Sequence, residues 1–300
     1  MVEIITIQNI NTGEELFMDK LTTSDYILDY IDWGQATVSR STSQYVNQIG
    51  ITVIGTIYKS RNIDLSGFII ADSEQEMTNR KTKLNNFFIP TYEYVLKYKG
   101  YKINIKIDSS VRYTNTEERN NNEVICRFKV SGICPYPLFS LNNDLNIKVG
   151  KYVGFFHFPF HITEEEPIVF AIEAAGETRK RIIKNIGQIP IGMKIIFKAT
   201  DNSVMNPVLY NYTTGEYFKI QKQVFGNETI EINTNSGAKS IVGGIGSERT
   251  NYFRYMAEGS SWIILQPGDN IIGYSADNGI DILEVKLEIS PRFVEVQECF

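Results

Sequence analysis

Residues 51–107 read ITVIGTIYKS RNIDLSGFII ADSEQEMTNR KTKLNNFFIP TYEYVLKYKG YKINIKI. Ile51, Val53 and Ile57 alternate with Thr52, Thr56 and Tyr58, and Ile63, Leu65 and Ile69 alternate with Asn62, Asp64 and Ser66. A period of two predicts half-buried strands. The alternation stops at Asp72. Ser73-x-x-Glu76 has the spacing of a capping box, and Met77, Leu84, Phe87 and Phe88 follow at roughly helical intervals. This predicts a helix over 72–88, stopped by Pro90, because proline disfavours the α conformation in the residue before it.

Alternation then returns. With Lys99-Gly100 as a two-residue loop, Tyr98 faces Tyr101, Leu96 faces Ile103, Tyr94 faces Ile105 and Tyr92 faces Ile107. Every pair on that face is apolar or aromatic, the unit of sheet stabilisation. The other face sets Glu93 against Lys106, and also Lys97 against Lys102, a repulsion that a wet face tolerates. Gly100 suits the second position of a type I′ turn, whereas lysine is not a favoured first residue.

Working outward, Val2 to Asn9 reads as a first strand turned at Asn11-Thr12-Gly13. Tyr26 to Trp33 and Ala36 to Gln44 read as the next extended pair, joined through Gly34. Downstream, Ser109 to Tyr113 and Val124 to Ile133 are strands, and the polar run Thr114 to Asn122 between them is a solvated loop. Cys134-Pro135-Tyr136-Pro137-Leu138-Phe139 marks a boundary, since two prolines fix an extended path and cannot donate to a central ladder. Asn142, Asn143 and Asp144 make a soft connection, so two domains are expected, 1–140 and 141–300.

The second half offers no helix pattern. Strand-like runs recur at Tyr152–His161, Ile168–Ala174, Arg179–Asn185, Lys194–Thr200, Pro207–Asn211 and Tyr217–Gln221. They continue at Glu228–Asn233, Ser240–Val242, Tyr252–Met256, Ser261–Leu265, Asn270–Ser275 and Ile282–Ile289. Many short strands with Gly, Asn and Pro turns between them predict antiparallel sheets packed as a jelly-roll sandwich. The fold class is mainly β: a sandwich or barrel-like domain with one helix, then a β-sandwich.

With 300 residues, 42% hydrophobic and 22% charged, the chain can bury real cores and is not disordered as a whole. A net charge of −5 supplies no phosphate-binding excess, which argues against a nucleic-acid partner. No apolar run has the length of a membrane span, and Met1-Val2-Glu3-Ile4 does not open a signal peptide, so folding in a cytoplasm is expected. Three cysteines (Cys126, Cys134 and Cys299) without a CxxC predict small idle thiols, not a disulfide scaffold or zinc site.

Catalytic groups are not brought together. His157 and His161 flank Pro159 in a strand-like run, where four residues span roughly 13 Å, too far for one ion. Glu164, Glu165 and Glu166 are consecutive, so they point apart and read as a solvated turn. Val242 to Ser247 is glycine-rich but matches no phosphate-loop pattern, and reads as a flexible loop. Neither metal nor cofactor is called for, and an enzyme is not expected. Aromatic residues are abundant, and Trp33, expected at a hairpin tip, and the group Tyr252, Tyr255 and Trp262 are the candidates for protein or glycan contact.

Over nearly its whole length the chain resembles the distal tail (Dit) proteins of long-tailed bacteriophages, the siphovirus-type tail component family. The resemblance rests on order: the strand ending in Gly50–Ser60, Arg61–Ile70 into the helix, Pro90, the Tyr92–Ile107 hairpin, the Cys126–Ile133 strand and the exit at Pro135–Phe139. Trp262 to Ile272 with its Pro267-Gly268-Asp269-Asn270 turn, Leu283–Ile289 and Pro291-Arg292-Phe293 continue it. The resemblance implies a structural hub in which the first domain closes a homohexameric ring beneath the tail tube. The second, galectin-like domain would carry receptor-binding parts. Implied partners are further copies of the chain, the tail tube protein, a tail-tip protein and a receptor-binding protein, with the virion tail tip as the location.

Within that reading, Trp33, Thr37, Ser39 and Ser41 are candidate contacts to a neighbouring copy, the last three on a strand that could add to its sheet. The competing reading is a lectin-like module that binds host cell-wall glycan through exposed aromatics. Whether Phe293 to Val296 returns to the first domain is open at this level.

Overall fold

Ser73 starts the helix as its spacing predicts. Its hydroxyl accepts the N–H of Glu76 at 3.2 Å, and the Glu76 carboxylate reaches back to the N–H of Asp72 at 3.0 Å. In this computed structural model, which describes residues 4–20, 25–118, 124–149 and 179–296, the helix α1 is Glu74–Phe87. Its buried face is Met77, Leu84 and Phe87, followed by buried Phe88.

Among the described residues, strands β1 to β11 accompany α1. They are β1 Ile4–Asn9, β2 Glu15–Asp19, β3 Tyr26–Asp32, β4 Val38–Ser43, β5 Thr52–Tyr58 and β6 Arg61–Ala71 before the helix. After it come β7 Glu93–Tyr98, β8 Tyr101–Ile107, β9 Arg112–Glu118, β10 Val124–Cys134 and β11 Phe139–Leu141. The sheet runs β11-β8-β7-β1-β2-β3-β6-β10-β9, and a second pairing of β8 with β10 closes seven of these strands into a barrel-like sheet. Alternate side chains, among them Ile5, Ile7, Met18, Leu65, Ile69, Leu96, Ile103 and Phe128, fill the interior with the helix.

The β7–β8 hairpin has the predicted register, from Tyr98 opposite Tyr101 to Glu93 opposite Lys106. Lys99 and Gly100 both have positive φ, which makes the turn type I′ in spite of the lysine. The Lys97–Lys102 repulsion is relieved sideways. Lys97 pairs with Glu15 at 2.8 Å, and Lys102 donates to the carbonyl of Asn142 at 2.9 Å.

Five local expectations are corrected. Tyr26–Trp33 and Ala36–Gln44 do not pair with each other: β3 lies against β6, and β4 against β5. The reason is burial. β3 brings Tyr26 and Leu28 to the core beside the apolar face of β6, whereas β4 has only Val38 to offer. Residues 114–118 belong to β9, because an edge strand gains its ladder through backbone and needs no apolar side chains. The glycine run at 242–245 is strand, with Gly243 bare because the Tyr252 ring lies on it. Tyr252–Met256 holds a 3-10 turn, and Ser261–Leu265 joins no ladder beyond an isolated bridge of Leu265 to Ile191. The expected runs Tyr152–His161 and Ile168–Ala174, with His157, His161 and Glu164 to Glu166, lie outside the described residues, as do Val2, residues 119–122 and Cys299.

The chain divides into two compact units, Met1–Asn142 with Phe293–Phe300, and Asn143–Arg292. In the second unit the strands are β12 Leu145–Lys148, β13 Arg179–Asn185, β14 Met193–Ala199, β15 Ser203–Met205, β16 Val208–Asn211 and β17 Glu216–Lys219. They continue as β18 Gln223–Phe225, β19 Glu228–Asn233, β20 Ser240–Ile245, β21 Thr250–Asn251, β22 Gly268–Ser275 and β23 Leu283–Ile289. A last strand, β24 Arg292–Phe293, lies beside β11.

Sheets β12-β23-β14-β19-β20-β21 and β13-β22-β16-β17 supply one shared core, with Ile195, Phe197, Ile230 and Val285 from the first and Ile183, Leu209, Phe218 and Ile272 from the second. The Pro-Gly-x-Asn turn is closed by buried Asn270. Its amide donates to the carbonyls of Gln266 and Gly268 at 2.8 and 3.0 Å and accepts the N–H of Gln266 at 2.9 Å. The side chain thus stands in for backbone partners that the turn lacks.

Candidate assembly interface

Between β3 and β6 the chain leaves the barrel-like sheet. From Ala36 to Tyr58 the sequence carries a single charged side chain, Arg40. β4 and β5 pair only with each other, from Val38 opposite Tyr58 to Ser43 opposite Thr52. At the root, the N–H of Lys59 donates to the carbonyl of Thr37 at 2.8 Å, and that of Gly34 to the Asp32 carboxylate at 2.9 Å. Ile54 is the extra residue of a bulge opposite Ser41 and Thr42, a feature that increases local twist.

The tip is a defined turn. Gln48 holds it, accepting the N–H of Tyr45 on its side chain at 3.0 Å, donating its own N–H to the Tyr45 carbonyl at 3.1 Å and its amide to Thr52 at 2.9 Å. Around this frame the apolar side chains have no cover: Val46 is 93% and Ile49 103% exposed, as much as in an extended peptide. Tyr45, Ile51, Val53, Ile54, Ile57 and Tyr58 are exposed too. The alternation at 51–58 therefore marks a strand, but not a half-buried one within this chain.

A two-stranded ribbon cannot bury both its faces, and a lone hairpin is marginally stable. It also presents unpaired strand edges. An exposed apolar patch without charge is the composition of an interface core. The arm can therefore add a strand and pack apolar side chains, and it holds no group suited to proton or metal chemistry.

A second surface of the same unit is a groove of about 690 Å³ between β2 and α1. Its floor is buried Leu16, Tyr26, Leu84 and Phe87, half-exposed Phe17 stands at it, and its rim is polar, with Glu14, Glu15, Asp25 and Lys83.

The sequence candidates fall in different places. Thr37 is at the root of the arm, and Ser39 and Ser41 are on β4 opposite Ile57 and Gly55. Trp33 is not at a tip. It is half-buried on the margin of the core, with its ring 5.5 Å from Tyr98 and 5.4 Å from Phe139. Alternation alone does not distinguish Val46 and Ile49; the signal for them is the run 41–58, which carries no charged side chain.

In the second unit Tyr252, Tyr255 and Trp262 are half-buried against the core. Trp262 packs 5.3 Å from Phe218. Tyr252 and Tyr255, with Phe225, surround the Lys222 ammonium, their ring centroids 5.4–5.7 Å from it. Lys222 bonds both oxygens of Glu228 at 2.7 and 2.8 Å, and the Tyr252 hydroxyl donates to the same carboxylate at 2.9 Å. Burial pushes the Glu228 carboxyl up. The hydrogen bonds from Lys222, the Phe225 N–H and Tyr252 outweigh it and hold the group below its ordinary value. Among the described residues no group of acidic, histidine or cysteine side chains could hold a metal ion, and no helix is long and apolar enough to cross a membrane.

The profile of the phage tail protein RIFT-related domain matches residues 19–195. No curated protein matches the chain in sequence. Among solved structures, the Dit protein (gp 19.1) of phage SPP1 is 11% identical over 96% of this chain and 99% of its own, with a TM-score of 0.65. It is described as a paradigm of the hub adsorption apparatus in phages that infect Gram-positive bacteria. A chain of the phage P2 baseplate, in its activated conformation with Ca, is 13% identical over 96% of this chain and 98% of its own, with a TM-score of 0.49. At such identities the likeness to SPP1 Dit is one of fold.

Proposed function

Because this chain belongs to the family of phage tail proteins with a RIFT-related domain, we propose that it is a structural hub of the tail tip. In this reading six copies close a ring that joins the tail tube protein to tail-tip and receptor-binding proteins. The observation that carries it is the β4–β5 arm, ordered by its own hydrogen bonds yet with the apolar side chains of its tip and of β5 uncovered. A cyclic ring is built from head-to-tail contacts, so each copy needs two different, complementary surfaces. The arm is one. The groove beside Phe17 is the second, and it receives the Val46–Ile49 tip of the next copy. The unit Asn143–Arg292 is then free to carry the receptor-binding parts.

The test is the solution mass by light scattering, with negative-stain images of the same peak. A hexamer has six times 34.2 kDa, about 205 kDa, and shows ring views. Val46→Asp together with Ile49→Asp is expected to return it to monomer. A chain that stays monomeric at every concentration, alone and with its tail tube protein, overturns the reading. Proline at Thr37, Ser39 and Ser41 that left the ring intact would remove β4 from the interface.

A further inference from the structure

The sheet β13-β22-β16-β17 has one face in the core and one outside. On β16, Leu209 and Asn211 point inward and are buried; alternation turns Tyr210 and Tyr212 outward, on the side where only Val208, at the start of the strand, is itself covered. Register then sets a row across all four strands: Lys180 beside Gly273, Gly273 beside Tyr210, and Tyr210 beside Tyr217. The Tyr210 ring lies 5.7 Å from Tyr212 and 6.2 Å from Tyr217, with planes inclined by 31° and 43°. Three rings thus make one shallow ribbon, with Ile271 exposed beside it. A Cβ at residue 273 would come within 2.7 Å of the Tyr212 ring, so the glycine lets that ring settle onto the strand.

The outer face of an antiparallel sheet is ordinarily polar, and this one is a tyrosine floor with a polar fringe. Lys180 places its ammonium 4.0 Å from the centroid of the Tyr212 ring and has no carboxylate partner among the described residues. Lys219 is neutralised by Asp277 at 2.9 and 3.2 Å, and Asp277 also accepts from Asn206 at 2.8 Å.

We propose that this face binds an acidic polysaccharide. Sugar rings stack by their C–H faces on tyrosine, the Asn206–Asp277–Lys219 cluster meets hydroxyl groups, and the Lys180 ammonium receives a carboxylate or phosphate of the ligand. A row without a deep apolar pocket suits a chain of rings better than the buried anchors of a protein partner. The net charge of the chain is −5, so a positive charge here is local and selects for an acidic ligand against the background of the molecule.

The experiment is calorimetric titration of the full chain with polygalacturonate and with yeast phosphomannan. Each is compared with its neutral counterpart, the methyl ester and the dephosphorylated mannan. Saturable binding of at least one acidic polymer is expected, with about tenfold weaker binding of its neutral form. Tyr210→Ala and Tyr217→Ala weaken both forms by about tenfold. Lys180→Gln, a surface change that leaves folding intact, removes the preference for the acidic form and leaves the neutral form bound as before. Three results overturn the proposal. One is no binding of any of the four polymers. Another is acidic binding that all three variants retain, which is charge attraction elsewhere on the chain. The last is a fall in the mass of the assembly on Tyr210→Ala, which gives the face to a second copy.

Discussion

Arg61, the first residue of β6, is a charged side chain with essentially no contact with water. Its guanidinium donates to the carbonyl of Val294 at 2.6 Å and to the carboxylate of Glu295 at 3.1 and 3.4 Å, and lies 5.0 Å from the Phe139 ring centroid. It ties the returning C-terminal segment to the first unit. Arg61→Ala should cost about 3 kcal/mol in urea unfolding, through lost charge-assisted bonds and packing. Glu295→Gln should cost less than about 1 kcal/mol, because that carboxylate is half in water. Equal costs would show that the ion pair, not the buried bonds, carries the contact.

Two other residues make chemical predictions. Burial raises the Cys134 thiol to about 11, against a smaller opposite pull from Arg61, and the thiol donates to the Tyr136 carbonyl at 2.8 Å. Peptide mapping after alkylation at pH 8 should find Cys134 unmodified in the native chain and modified in guanidinium. Glu228 has its folded pKa below the ordinary 4.5. Its contribution to stability is therefore complete above that value and is lost as pH falls through the lower folded value. Stability of Glu228→Gln should depend less on pH below about 4.5 than that of the parent, and identical acid profiles would show that the Lys222 cluster does not hold this unit together.

At the scale of elements, α1 depends on its first turn. Ser73→Ala should destabilise the first unit by about 1 kcal/mol in thermal or urea unfolding. The arm behaves in the opposite way. Because Val46 and Ile49 touch water and not a core, replacing both by aspartate should change unfolding by less than about 0.5 kcal/mol while abolishing assembly. Loss of stability instead would return the arm to an intramolecular role. The β7–β8 hairpin and β4–β5 differ in how far sequence could take them. A two-residue loop fixes register, so Tyr94 opposite Ile105 follows from counting. The eight-residue connection from Gln44 to Ile51 fixes nothing of the kind, and alternation does not say whether the face it marks meets its own core or another molecule.

At the scale of the molecule, the unit Asn143–Arg292 is one uninterrupted stretch with its own core, whereas the first unit needs both ends of the chain. Residues 143–292 expressed alone should melt cooperatively, and the same chain cut after Arg292 should lose stability in the first unit. A non-cooperative melt of the 143–292 fragment would mean that the two units fold as one.

By itself the sequence determined the local rules: the capped helix, the β7–β8 register, the proline-marked exit, the glycine and asparagine turns and the mainly β class. These rest on neighbours in the chain, where spacing is geometry. Partnership between distant strands was decided only in three dimensions. Burial chose β6 over β4 as the partner of β3, and gave β10 both β6 and β8 as neighbours. The same choice drew Trp33 inward, left Val46 and Ile49 outside, and set Tyr210, Tyr212 and Tyr217 in one row. A side chain's surroundings depend on which remote strand lies beside it, and the order of residues along the chain carries no direct record of that.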